Sequence, residues 1–458
     1  MADSIHIDPV EPWATSSHND TRAETESEKT VHLEQAPSTL PKLDDPPPDG
    51  GYGWVCVACN FFINGVFFET LSLIGASFAH QKYQIILAQG VCFGWGMGFL
   101  FVGSVGIIAQ WFGKKRSVAN SIAAAGSGAG GLLYSLVTQR IIDTLGLPWA
   151  FRILGICTFA VNLTASNLLR DRNKQTGSRH KAFDTKILRR PEFLLIQGWS
   201  WFSMLGYTIL LFSLPAYARA IGLSAKQGSV LNAILNLGQM VGRPFIGLSS
   251  DRWGRLNNAT FFTLLCGVVC FALWIPAEVV PSPMVLLSFF AVVGGALAGT
   301  FWTTIAPVAA EVLGLQDLPA GLSLTWVLMV PPTTCAEAIA LELRRQDSDR
   351  WIYLPPQIFT SFMYIAAGVC IWLVRGWKVG ELQWRDREMR ERERKGRQQR
   401  IWTDDKTAAP VDGEKVAIQG EQCPDGDETE VNRDPRSMRR DIWRLRNLLK
   451  NMLTWKVV

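Results

Sequence analysis

WFGKKRSVANSIAAAGSGAGG, residues 111–131, is a basic turn caught between two apolar runs. The turn is Lys114-Lys115-Arg116. The run before it, 84–109, carries no charged residue, and neither does the run after it, 117–137. Each is long enough to cross a bilayer, which takes roughly 20 apolar residues in a helix. Lysine and arginine collect on cytoplasmic turns, so this turn orients both helices with its own end in the cytosol. Ala123, Ala124, Gly126, Gly128, Gly130 and Gly131 let a neighbouring backbone approach closely. Membrane helices associate through such contacts because lipid offers them no hydrophobic drive.

The same alternation runs through much of the 458-residue chain. Eighteen Trp and 24 Phe suit a membrane protein whose aromatics fill helix surfaces and interfacial belts. The apolar runs give about ten spans: 53–78, 84–109, 117–137, 149–169, 193–216, 228–248, 259–277, 284–305, 318–341 and 354–374. Pro331-Pro332 interrupts the ninth, and Glu337 sits near its end. An even number of spans leaves both tails on one side. The turns after the second, fourth and sixth spans are the basic ones, so both tails are expected in the cytosol. Arg344, Arg345 and Arg350 run against that trend. The fold class is all-α and polytopic.

Five segments follow. Residues 1–48 are an acidic, polar tail without the apolar content to form a core, expected to be disordered. Residues 49–169 hold four spans, 170–192 form a basic cytosolic linker, and 193–378 hold six spans. Residues 379–458 are a charged tail. Within it, 441–455 places Ile442, Leu445, Leu448, Leu449, Met452 and Trp455 at helical spacing among basic residues. Such a helix lies on a membrane surface or binds a partner; the two readings weigh evenly.

Composition excludes other classes. The net charge of +5 is small and sits mostly in loops and the C-terminal tail. It points to lipid headgroups rather than nucleic acid. The five His have no nucleophile or metal partner nearby in sequence, and there is no Walker A motif. Cys56 and Cys59 form a CxxC without a second pair, so the cysteines read as small core hydrophobes. No enzyme activity, metal or cofactor is expected, and no signal peptide is visible.

Asp49-Gly50-Gly51-Tyr52-Gly53-Trp54 opens the first span. Trp111, Phe112, Lys114, Lys115 and Arg116 precede a Gly/Ala-rich helix. Together these two motifs resemble the monocarboxylate-transporter (monocarboxylate porter) family of the major facilitator superfamily, above all its fungal members. The second half adds Gly242-Arg243-Pro244. It also carries Gly247, Asp251, Arg252, Gly254 and Arg255, which look like the superfamily's GxxxDRxGR loop signature. The resemblance covers about 46–378. It implies a two-bundle fold of twelve spans and secondary active transport of a small organic solute. That solute would be a monocarboxylate-like anion or a metabolite, moved by proton symport and alternating access across the plasma membrane. YQIILAQGVCFGWGMG, residues 83–98, looks like the family's fourth span. The second and third spans are therefore expected to be missing, shortening twelve spans to about ten. The alternative is a non-transporting or defective membrane protein of transporter-like fold.

An ionisable group at membrane depth is costly and usually faces a cavity or a partner. Arg243 stands late in the sixth span, where the resemblance implies a substrate- or proton-linked arginine; the plainer reading is that it snorkels to the interface. One turn earlier stands Gln239, where many animal members carry an acid, and this argues against simple monocarboxylates. Glu69 is the other embedded charge, either a protonatable coupling group or a solvated one near the outer end. Asn60 and Asn64, and Asn232 and Asn236, form two amide stripes at helical spacing. They line a polar path or bond between helices. Trp302 is a further lining candidate, and Arg152 is expected at the outer interface. In the loop, Gly247 and Gly254 permit a sharp reversal. Asp251 can cap a helix N-terminus, while Arg252 and Arg255 hold the turn in the cytosol. Such a turn latches one conformation of a rocking transporter or merely sets topology.

Overall fold

The computed structural model describes residues 51–66, 70–94, 106–170, 172, 184–345, 351–407, 442–443, 445–454 and 456. Among them there are helices and turns and no strand. The first expected span forms α1 (Tyr52–Val66) and α2 (Thr70–Ser77). The second opens as α3 (Lys82–Ile85), continues through wide turns at Ile86–Cys92, and is helical again at 106–111. Then come α4 (Arg116–Leu145) and α5 (Leu147–Leu168).

The second half is α6 (Pro191–Ala220), α7 (Ala225–Trp253), α8 (Arg255–Val269), α9 (Pro283–Ala298) and α10 (Thr300–Leu313). It ends with α11 (Leu318–Leu328), α12 (Val330–Glu342) and α13 (Leu354–Thr407), and the tail adds α14 (Leu445–Leu453). Local chemistry sets several of these ends. Ser224 and Gln227 form a reciprocal capping box at the start of α7. Gly254, at φ 94°, turns α7 into α8 in a conformation that a Cβ would strain. The ninth span breaks at Met329, just ahead of the expected Pro331-Pro332. Those prolines lie in the first turn of α12, where missing N–H groups cost no helical bond.

Among the described residues, six stretches are long and apolar enough to cross a membrane: Leu147–Ala165, Pro191–Ala220, Arg255–Glu278, Pro283–Leu313, Leu318–Glu342 and Leu354–Gln398. α4 and α7 are equally long, at 30 and 29 residues, but diluted by Gly, Ser, Asn and Gln. The reason is that they face each other. Ser117 meets Ser250, Ser121 meets Gly247, and Ala124 meets Arg243. Further along, Gly128 meets Met240 and Gly131 meets Asn236. The pairs advance in opposite directions along the two helices, as an antiparallel contact requires. A Cβ on Gly128 would lie 2.7 Å from the Met240 backbone nitrogen, so the two backbones touch. This is the neighbour that the small residues of 117–131 called for. On its other side α7 packs in parallel with α9: Gly238 abuts the Val292 carbonyl and Gly242 abuts Ala296.

The mixed-charge run after residue 380 extends the last span as one continuous helix, α13. α14 docks on that helix. Ile442, Leu448 and Met452 are buried against Trp377. Trp372 donates its indole N–H to the Met452 carbonyl at 3.2 Å. Arg375 donates to the carbonyls of Met452 at 2.7 Å and Thr454 at 2.8 Å, closing the C-terminal end of α14. A cation suits that end because the carbonyls there are unpaired. The apolar stripe is therefore met by this chain's own last long helix rather than by lipid.

Candidate functional site

Arg243 is where the halves of the structure share their polar chemistry. Its side chain is 2% exposed, so the snorkelling alternative fails: the guanidinium turns inward between α7 and α4. Nη1 donates to the Ala124 carbonyl and to Ser127 Oγ, both on α4. Nη2 donates to Gln239 Oε1 at 2.6 Å and to the Tyr207 hydroxyl at 3.5 Å. The Tyr207 hydroxyl in turn donates to Gln239 Oε1 at 3.0 Å. Nε has no acceptor, and no carboxylate pairs with Arg243 among the described residues. Gly299 makes room for it, since a Cβ there would lie 2.6 Å from Nε. A buried cation held by four neutral groups keeps its charge uncompensated, an arrangement suited to an incoming anion.

Aromatic walls flank this cluster. The Tyr207 and Trp302 rings lie 6.2 Å apart, edge to face. Trp302 stacks on Trp326 at 5.8 Å. Asn120 of α4 donates to the Thr303 carbonyl at 2.6 Å, a second polar link from the first half to α10. Tyr207, Ser127, Asn120 and Trp326 escaped the sequence reading. Each is a common residue inside an apolar helix, and only the packing of α4, α6, α7, α10 and α11 brings them together.

The other candidates divide. The amide stripe of α7 splits in two. Gln239 joins Arg243, whereas Asn236 is pressed into the gap left by Gly131 and donates to the Asn232 carbonyl at 2.9 Å. Asn232 Oδ1 is buried without a partner among the described residues. Asn60 and Asn64 lie in α1, but their side chains are outside the described residues, as is the whole of Glu69. Arg152 rests its guanidinium 4.5 Å from the Phe78 ring centre and 5.2 Å from that of Trp149.

The loop motif does more than reverse the chain. Asp251 accepts from the backbone N–H groups of Ser117 at 3.1 Å and Val118 at 3.0 Å. It therefore caps the first turn of α4, a helix of the other half, instead of a neighbour in its own. Arg255 donates to the Gly113 carbonyl at 2.6 Å and lies 3.7 Å from Asp251 and 3.9 Å from Glu311. Gly247 sits against Ser121, and Arg252 is exposed. The opening basic turn and the loop motif thus form one polar contact, the candidate latch. A carboxylate on two helix N–H groups is a charge-assisted contact, supported by the helix dipole. Asp251→Asn keeps the shape but turns an amide N–H₂ toward those donors. Its loss of about 1–3 kcal/mol is expected to open this end. A cysteine placed at the buried Ser121 should then react with an aqueous maleimide roughly tenfold faster; an unchanged rate would show the latch to be slack.

The entry motif meets the same turn from behind. Asp49 and Gly50 lie outside the described residues. Gly51 adopts φ 58°. Gly53 lets α1 press on Phe112, where a Cβ would lie 2.9 Å from the ring. Trp54 meets Phe112 edge to face at 5.0 Å, and Tyr52 lies 5.8 Å from Trp111. Trp111 donates its N–H to the Arg170 carbonyl at 2.9 Å, and Arg116 Nε donates to the Phe112 carbonyl at 2.8 Å. Lys114 and Lys115 complete the basic turn. The two motifs that carried the resemblance are therefore one packed unit, and the basic turns gather at one end of the molecule.

Comparison with known proteins agrees with this geometry. The family model described as Major Facilitator Superfamily matches residues 58–329. The chain is 34% identical over 322 residues to "Probable transporter MCH2" of Saccharomyces cerevisiae, covering 69% of this chain and 67% of that protein. It is 32% identical over 317 residues to "Uncharacterized transporter ESBP6" of the same yeast, covering 66% of this chain and 46% of that protein. A solved structure of the transporter FucP in the outward conformation superposes with a TM-score of 0.50 at 11% identity. It covers 70% of this chain and 87% of FucP, a likeness of fold alone.

Proposed function

The chain belongs to the Major Facilitator Superfamily, and on that premise we propose that it is a proton-linked carrier of a small organic anion. It is a membrane transporter by family and fold; the anion, the proton and the cycle are our reading. One observation carries it: a fully buried arginine, at the contact between the two halves, whose partners among the described residues are all neutral. An anionic solute that reaches this cluster replaces Ser127 or Tyr207 in the guanidinium's coordination. The Trp302–Trp326 stack then offers it an apolar wall. Alternating access follows if the Asp251 latch closes one end while the solute loads from the other. The entry motif and the basic turn support the monocarboxylate-porter branch.

We place the latch and both tails on the cytosolic face of the plasma membrane, because the basic turns gather there. The five-segment division of the chain, 1–48, 49–169, 170–192, 193–378 and 379–458, stands as part of the same proposal. The test is uptake of radiolabelled short-chain carboxylates into vesicles holding the purified full chain. Uptake should rise about tenfold under an inward acid gradient worth one pH unit and collapse with a protonophore. Gradient-independent uptake removes the proton from the reading, and no uptake of any carboxylate removes the solute class.

A second reading is favoured by one feature. α2 ends at Ser77 and α3 begins at Lys82, with room for nothing but a short turn. The matches cover 67% and 46% of the two yeast relatives. We propose that two spans of the longer members are missing between Ala79 and Tyr83, which would leave a non-transporting or truncated product. Transcript sequencing that finds further codons there supports it; an uninterrupted transcript with the uptake above ends it.

A further inference from the structure

Where α13 leaves the bundle, it forms a cleft with α14. The cleft encloses about 140 Å³. Gln383, Trp384 and Arg387 of α13 form one wall, and Asn447, Lys450 and Asn451 of α14 form the other. Several nearby charges are paired with one another. Glu381 pairs with Lys378 and Arg385, Asp386 with Lys456, and Glu388 with Arg392. Arg387 and Lys450 make no ion pair among the described residues and are exposed at the mouth. Deeper in, Asn451 is only 6% exposed and lines the cleft. Gly380 admits its amide, because a Cβ there would lie 2.7 Å from Asn451 Nδ2.

We propose that this cleft binds a phosphate monoester. Two cations reach the same space from two helices, and an amide donor lies at its back. A planar guanidinium grips two phosphate oxygens at once, and the ammonium and amide donors serve the third. A carboxylate offers only two oxygens and leaves one side of the cleft unfilled. The phosphate comes either from a soluble metabolite or from a phosphorylated lipid headgroup of the adjacent leaflet.

Occupancy has a mechanical consequence. The ligand bridges α13 and α14 and so holds the tail helix in place. The same tail is joined to the latch. Lys456 accepts from Asn257 Nδ2 at 2.9 Å through its carbonyl, and Arg375 donates to Asn257 Oδ1 as well as to the end of α14. Asn257 stands in the first turn of α8, just after Arg255 of the latch. A filled cleft therefore stiffens the latched end of the second half.

The test uses the purified full chain in two arms. In detergent, retention of labelled inorganic phosphate is measured by equilibrium dialysis against a chloride control. In the second arm, binding to phosphatidylcholine vesicles is compared with vesicles containing 5 mol% phosphatidylinositol 4-phosphate. Saturable retention in either arm, weakened about tenfold or more by Arg387→Ala with Lys450→Ala and several-fold by Asn451→Ala, is the expected result. Phosphate binding alone identifies a soluble ligand, and a vesicle difference alone identifies the headgroup. Arg387 and Lys450 are exposed, so that variant should keep the wild-type elution profile and unfolding midpoint. No saturable retention in either arm overturns the proposal, as does equal retention by the Arg387/Lys450 variant.

Discussion

Arg243→Ala is expected to cut vesicle uptake by about 100-fold or more while leaving the protein folded. The estimate rests on two charge-assisted contacts to an anionic solute, each worth about 1.5–3 kcal/mol. The fold should tolerate the change because no carboxylate depends on Arg243 among the described residues. Removing one member of a buried ion pair strands the other and is strongly destabilising. Here the groups left behind are neutral: the Ala124 carbonyl, Ser127, Gln239 and Tyr207. Gln239 and Tyr207 still bond to each other at 3.0 Å. Arg243→Lys keeps the charge but loses the fork that reaches α4 and Gln239 together, and uptake about tenfold below wild type is expected. Size-exclusion profiles of both variants should match wild type. Uptake unchanged in Arg243→Ala would make the residue a helix-to-helix tie and remove it from the solute path.

The sequence made some of this legible for clear reasons. Spans facing lipid announce themselves by uninterrupted apolarity, so α5, α6 and α8 to α13 lie close to where the runs placed them. α4 was legible by a further signal, its small residues, but nothing named α7 as its partner. Nothing local says that Gly131 will receive Asn236. Asp251 shows the same limit. Its capping role could be read from charge and position, yet the capped helix lies far away in the chain, beyond any local pattern. The arginine was visible as an embedded charge; its neutral cage was not, because Tyr207 and Ser127 become special only through distance. The amphipathic stripe of α14 was real, but periodicity does not name the occupant of an apolar face, and here it is Trp372, Trp377 and the glycines of α13.

Gly128→Val should abolish the folded transporter, whatever the solute turns out to be. The added Cβ would stand 2.7 Å from the Met240 nitrogen and 2.9 Å from the Asn236 carbonyl oxygen. Both are backbone atoms of a helix that cannot retreat, since α7 is held on its far side by Gly238 against the Val292 carbonyl. A side chain clash can be relieved by a rotamer change, but a backbone clash must separate the helices. Separation breaks contacts along the whole stripe from Ser117–Ser250 to Gly131–Asn236, including both links of Arg243 to α4. Overpacking in a well-filled core costs about 1–3 kcal/mol when neighbours can yield, and these neighbours are pinned on two sides. The expected readout is loss of the monodisperse peak in detergent size exclusion, with the protein aggregated or degraded. Gly396→Ala is the matched control. It sits on the exposed end of α13 with nothing within 4 Å of the new methyl, and alanine there gains about 1 kcal/mol or less of helix propensity. If Gly128→Val eluted like Gly396→Ala and still showed uptake, the α4–α7 contact would not be what joins the two halves.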